Sequence, residues 1–196
     1  MAEPEFKLAV ATMSDADEAA RLHFVSHTRS FAAFTPAEWV ASRRLENYQA
    51  QWAGFLEKSD PRSRAWLARL HEPGGSRPIA DLRRPQVAQR VEGPGKPRVG
   101  DVVGIVRIIR MPEDGLAQLS SIHVHPDCQG RGIGQALMRR AEAFISESGY
   151  QRASLGVIQA NRRARALYER FGWTVVEERP TGVEGVPICI YGKTFK

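Results

Sequence analysis

The sequence predicts one globular domain built on a mixed α/β sheet. Three observations carry this. Strand-like and helix-like segments alternate along the chain without an internal repeat. The length of 196 residues suits a single domain, and 42% hydrophobic with 26% charged residues is enough to bury one core. The first residues, MAEPEFKLAV, lack a basic and apolar leader, and no stretch approaches the ~20 apolar residues of a membrane span. A cytoplasmic location is therefore expected.

The elements follow in order. FKLAVA alternates Phe6, Leu8 and Val10 with Lys7, Ala9 and Ala11, as a strand does, and Ser14 with Asp17 offers a capping box for a first helix. In TPAEW, Thr35 is expected as the N-cap, Pro36 at the first helical position and Glu38 at the third. Leu45, Tyr48, Trp52 and Phe55 then continue at helical spacing. RAWLARL, DVVGIVRII and AQLSSIHVH read as strands, the last two joined as a hairpin through MPEDG. A helix from Gly134 to about Ser148 should bury Leu137, Ala141, Phe144 and Ile145. The strand ASLGVI, a short helix, and the strands WTVVEE and PICIYG complete the chain.

Between about 71 and 100 lies a Pro-, Gly- and Arg-rich stretch without periodicity, which predicts a solvated loop insertion. Arg77, Arg83, Arg84, Arg90, Lys96 and Arg98 outnumber its acids, so a polyanion is a competing reading, but no aromatic platform interleaves the charges. Nucleic acid is accordingly not favoured as a partner. The net charge of +6 is spread along the chain. Cys128 and Cys189 are far apart and without metal-ligand spacing, so free thiols and no metal are expected.

The most informative stretch is PDCQGRGIGQALMRRA, at 126–141. A strand runs into Gln129, Gly130, Arg131, Gly132, Ile133 and Gly134, and a helix begins at once, so several backbone N–H groups must point out of the turn. Glycines let a bulky anion approach, and the helix dipole with Arg131 adds positive potential. A phosphate fits; water satisfying a plain turn is the alternative. Gln135 and Ala136 follow the last glycine where a P-loop needs Lys and Ser or Thr, and the glycine spacing does not match a dinucleotide fingerprint.

At these residues the sequence resembles the GNAT superfamily of acyl-CoA-dependent N-acetyltransferases. The family's pyrophosphate loop, Gln/Arg-x-x-Gly-x-Gly/Ala, is matched by Gln129, Gly132 and Gly134. NRRARALYERFGW resembles its Asn-x-x-Ala-x-x-x-Tyr-x-x-x-Gly-Phe/Trp element through Asn161, Ala164, Tyr168, Gly172 and Trp173. The resemblance covers about Asp101 to Tyr191 and is looser before that.

It implies a single N-acetyltransferase domain over 1–196, with a mixed, mostly antiparallel sheet of about six to seven strands. Helices would cover both faces, and a central strand pair would be splayed. It implies acetyl-CoA as acyl donor, no metal, and transfer to a primary amine of a small molecule or peptide by direct attack in a ternary complex. A homodimer stays open. Cofactor binding would fall to Ile122, His123 and Val124, to the run Gln129, Gly130, Arg131, Gly132, Ile133, Gly134 and Gln135, and to Asn161, Ala164 and Tyr168. The catalytic groups would be the Val124 N–H, facing the developing oxyanion, and Tyr168, as general acid to the departing thiolate. Periodicity alone would equally make Tyr168 a core residue and Asn161 a plain N-cap.

The general base is open between His123, His125 and a water chain from Ser120 or Ser121. Gln118 and Gly156 stand where some relatives carry Glu. The acceptor pocket is expected near Arg29, Phe31, Trp39 and Tyr48. Two other functions compete with acetyl transfer: an acyl-CoA-binding regulator without turnover, and a polyanion-binding protein using the insertion.

Overall fold

The computed structural model describes residues 5–58, 60–71, 96–113, 115–182 and 184–195. One seven-stranded sheet forms the centre, comprising β1 (Phe6–Val10), β2 (Arg64–Leu70), β3 (Val102–Arg110), β4 (Leu116–Val124), β5 (Arg152–Ile158), β6 (Thr174–Arg179) and β7 (Ile188–Thr194), ordered β1-β2-β3-β4-β5-β7-β6. Every neighbouring pair is antiparallel except β4 with β5. The expected mixed, mostly antiparallel sheet is thus the observed one. The stretch expected as a loop insertion falls, from 72 to 95, outside the described residues.

Alternation in the strands sorts the core into two layers. Trp66 in β2 and Val106 in β3 face α4 (Ile133–Glu147), which buries Leu137, Met138, Ala141, Phe144 and Ile145 as its 3.6-residue period predicts. Leu67 and Ile105 face the other way, onto α1 (Ala16–Val25) and α3 (Leu45–Glu57), where Ala19, Ala20 and Trp52 are buried. The short α5 (Arg162–Arg170) packs on the α4 side through Ala164, Leu167 and Tyr168. Helices therefore cover both faces. Among the described residues no helix is long and apolar enough to cross a membrane.

Two local readings are corrected. The capping box is made by Thr12 and Asp15, whose carboxylate accepts from the Thr12 N–H at 2.8 Å and from its hydroxyl at 2.7 Å. Asp17 instead binds Arg21 and Gln49. The helix expected to run on from Pro36 breaks into α2 (Ala37–Ala41) and α3, with Arg44 extended at φ −130°. Side chains stabilise the break by taking the place of helical donors: Ser42 Oγ and Arg43 Nε donate to Trp39 O, and Arg44 Nη1 donates to Ala41 O. A π-turn at Ser26–Ser30, following α1, and a 3-10 turn at Phe31–Ala33 fill the chain before α2.

Gly104 sets the distance between sheet and α4. A Cβ there would lie 2.6 Å from Ile133 Cγ2 and 3.0 Å from both Ala68 Cβ and Leu137 Cδ1, all in a close-packed interior. Gly104→Ala is expected to cost about 1–3 kcal/mol by overpacking. The check is a lower urea midpoint with an unchanged m-value.

Candidate active site

β4 pairs with β5 only over Leu116–Gln118, opposite Arg152–Ser154. Beyond Gln118 the two strands part, while β4 stays paired to β3 and β5 to β7. An extra residue, Ser120, bulges β4 between the pairs Arg107↔Ser121 and Ile108↔Leu119. The His125 N–H donates to Val103 O at 2.8 Å. Since N–H direction alternates along an antiparallel strand, Ile122 and Val124 present theirs to the opposite edge, into the gap.

The gap leads to the glycine turn. Gly130 (φ 87°) and Gly132 (φ 81°) hold the left-handed conformation, which a side chain would strain. Gly132 caps α4, and its carbonyl accepts from Ala136 N at 3.0 Å. Among the described residues no acceptor meets the N–H groups from Gly130 to Gln135. Several unpaired donors, at the positive end of a 15-residue helix, face one mouth. Gln129 ties the turn to α5, its Oε1 accepting from Arg163 Nη1 at 2.7 Å.

A cavity of about 520 Å³ opens here. Its walls include Ile122, His123, Val124, Gln129, Gly130, Gly132, Ile133, Gly134, Gln135, Asn161, Ala164 and Tyr168, so it gathers the expected cofactor residues with one exception. Arg131 is not on the wall; its guanidinium pairs with Glu5 at 3.1 Å. The cations on the wall are Arg29, Arg163 and Arg170. Spacing in the sequence offered no reason to prefer these over their neighbours.

Asn161 caps α5, its Oδ1 accepting from Ala164 N at 3.1 Å. The cap fixes the turn that aims Tyr168 inward. Tyr168 is 5% exposed, and its hydroxyl has no hydrogen-bond partner among the described residues. Burial, and secondarily the neighbouring Tyr191, push its pKa well above the ordinary phenol range. Tyr168 therefore stays a proton-bearing donor. Tyr191 is held by its own bond to Glu169 at 2.7 Å and by Arg165 at 3.0 Å.

A second cavity, of about 510 Å³, lies across the gap and shares Phe31, Ile122, His123, Asn161, Ala164 and Tyr168 with the first. Trp39, Tyr48, Gln118, Ser121 and Gly156 also line it. Of the residues expected at the acceptor, Phe31, Trp39 and Tyr48 are there. Arg29 lines the first cavity instead, 3.3 Å from Asp127.

The histidines differ from the expectation. His125 is buried and lines neither cavity; its Nδ1 accepts from Asp127 N at 3.3 Å and caps the turn at Pro126–Cys128. His123 is buried and is joined by His23 and His27, which arrive from α1 and the π-turn 96 or more residues away in sequence. His123 Nδ1 shares a 2.9 Å bond with Ser26 Oγ, and His27 Nδ1 a 2.8 Å bond with Tyr48 OH. Burial is the main cause that keeps all three neutral at pH 7: it carries His27 down to about 4 with help from Arg43. It holds His23 and His123 well below their ordinary range, with neighbouring rings and Arg107 adding to it.

One ring nitrogen from each of these histidines lies within 4.8 Å of the others, a spacing that a metal would accept. Trp52 Nε1, however, can only donate, and its 3.2 Å bond to His23 Nδ1 occupies that lone pair and leaves the ring proton on Nε2. Each ring thus has a hydrogen-bond partner outside the trio, Trp52 for His23, Ser26 for His123 and Tyr48 for His27.

The chain is 40% identical over 68 residues to a mycothiol acetyltransferase from Beutenbergia cavernae, an alignment covering 35% of this chain and 23% of that protein. The chain spans less than half the length of the curated relatives it matches. In fold it is similar to the PaiA N-acetyltransferase of Thermoplasma acidophilum, solved in complex with coenzyme A. The TM-score is 0.69 and the identity 16%, covering 97% of this chain and 99% of that one. It is also similar to yncA of Salmonella typhimurium, solved with its cofactor acetyl-CoA, at a TM-score of 0.63 and 18% identity, covering 98% and 95%. The model of the acetyltransferase (GNAT) family matches residues 39–173, from within α2 through the Tyr168 helix to Trp173, and this protein belongs to that family.

Proposed function

We propose that this chain transfers an acetyl group from acetyl-CoA to a primary amine of a small molecule or peptide, within one domain spanning 1–196 whose 71–100 stretch is an insertion. The observation that carries the reading is the junction of the two cavities at Ile122, His123, Asn161, Ala164 and Tyr168. A regulator that only bound acyl-CoA would need the first cavity and have no use for the second. The polyanion reading draws no support from the described residues.

In this reading the cofactor's diphosphate accepts from the open N–H groups between Gly130 and Gln135. The pantetheine arm lies along β4 in place of the missing strand neighbour and bonds the Ile122 and Val124 main chain. The Val124 N–H faces the thioester oxygen and stabilises the negative charge that grows as the amine nitrogen attacks. The C–S bond breaks, the new C–N bond keeps the acetyl group, and the sulfur leaves as thiolate. Tyr168 hydrogen-bonds this thiolate. Its raised pKa makes complete proton donation to a thiol of pKa ~8.5 unfavourable, so it acts chiefly as a donor that disperses the charge.

His123 is the base this geometry favours. It lies where the cavities meet and keeps a lone pair at neutral pH. A substrate ammonium taken into the same desolvated space is itself made more acidic, which narrows the mismatch with a weakly basic imidazole. Ser120 Oγ is committed to Arg107 at 2.8 Å, which weakens the case for a water chain starting there.

A turnover assay with acetyl-CoA and a panel of amines tests the proposal; no release of free CoA with any amine would overturn it. Tyr168→Phe should keep acetyl-CoA affinity and lower kcat by about 100-fold, measured by steady-state kinetics beside titration calorimetry. Gly134→Glu should abolish acetyl-CoA binding, because a carboxylate then occupies the mouth of α4; calorimetry reads this directly. The neutral histidines also predict an acid limb in stability. For His27 the unfolded chain takes up its proton near 6.5 and the folded chain only near 4, so the stabilisation is present above 6.5 and is lost as pH falls toward 4. Melting temperature should therefore drop across this window, and less steeply in His27→Gln.

A further inference from the structure

Arg107 is a buried cation with no carboxylate partner among the described residues. It sits on β3 with 6% of its surface exposed, inside the wall of the second cavity. Its Nε donates to Ser120 Oγ at 2.8 Å, and its guanidinium carbon lies 5.1 Å from the Trp52 ring and 5.3 Å from Phe55. Neither terminal nitrogen has an acceptor among the described residues, and no carboxylate among them pairs with it. Burial alone lowers its pKa, to about 10, with no acidic group acting against the shift. Burying a guanidinium in this state costs stability unless something else supplies the charge.

A second, independent observation points to the same place. Ser121 is the register partner of Arg107 across β3 and β4, so the two side chains share a face. Its hydroxyl is buried, lines the same cavity, and has no partner among the described residues. A fork of guanidinium N–H groups and one O–H thus lack acceptors side by side. The other charged groups on the wall are Arg43 and Arg44 against the single acid Glu184, so the cavity as a whole favours an anion.

We infer that the acetyl acceptor carries a carboxylate in addition to its amine, and that Arg107 with Ser121 binds this carboxylate while the amine points to the junction at His123 and Tyr168. This rests on the acetyl-transfer reading and narrows it to small amino acids and similar amino-carboxylates. A planar carboxylate accepts two parallel bonds from one guanidinium, which a bare amine or an amide cannot do. Polyamines, with cations at both ends, are disfavoured by the same charges.

The test compares α-amino acids with their amides and their decarboxylated amines, as turnover with acetyl-CoA and as shifts in melting temperature without acetyl-CoA. Carboxylate-bearing members should have kcat/KM about 100-fold or more above their matched amides. They should also raise the melting temperature of the wild type. Arg107→Met should abolish both the preference and the thermal shift while raising the melting temperature of the empty protein, since it removes an uncompensated buried charge. Ser121→Ala should weaken the preference in a protein of ordinary stability, which covers the case in which Arg107→Met fails to fold. Equal turnover of acids and amides by the wild type would overturn the inference and leave acetyl transfer standing. Thermal stabilisation by carboxylates, lost in Arg107→Met, with no turnover of any amine, would support the anion site and overturn acetyl transfer instead.

Discussion

The rest of the structure depends on an unmade strand pairing. β4 and β5 are hydrogen-bonded over three residue pairs and then separate, although β5 is paired along its whole length to β7 and β4 continues beside β3. Main-chain donors left open in a protein interior are costly, so a split sheet persists only where another molecule or solvent meets those groups.

What keeps the split open is packing on either side. α4 lies close against β3 because Gly104 has no Cβ, which brings the first helical residue, Ile133, onto the sheet and the unpaired N–H groups beside it to the mouth of the gap. On the far side α5 is fastened to β7 through Tyr191, Glu169 and Arg165. Tyr168 thereby fills the space between the strands without closing it. The open N–H groups at the start of α4 and the buried Tyr168 phenol reach one cavity as consequences of the same spacing.

The opposite layer sets the chemistry of the acceptor side. α1, the π-turn that follows it and α3 place His23, His27, Trp52 and Tyr48 against the face of β4 that carries Ser121 and His123. With Arg107 buried nearby and the imidazoles kept neutral by desolvation, the fixed positive charge of this space comes from guanidinium groups alone. In the proposed reading this combination favours a substrate that brings a negative charge, and the neutral imidazole of His123 lies where the two cavities meet.

The sequence alone determined the order of elements and named the residues that line the first cavity, Arg131 apart. Those signals are local: alternation of period two in RAWLARL, period 3.6 after Gly134, glycines at positions 130, 132 and 134, and Asn161 three residues before the amide that it caps. Local signals survive without tertiary context because backbone geometry and capping involve residues a turn apart. The sequence could not show that the helix after Pro36 breaks at Ser42–Arg44, since side-chain bonds to carbonyls compete with a good helical period. Nor could it show that Arg131 turns away to Glu5 while Arg163 reaches Gln129. Only the tertiary structure decided the second cavity, where α1, the π-turn after it, β3 and β4 bring together His23, His27, Arg107 and His123. Isolated His and Arg residues carry no pattern in sequence, and their pKa values and partners come from burial and from contacts between residues far apart in the chain.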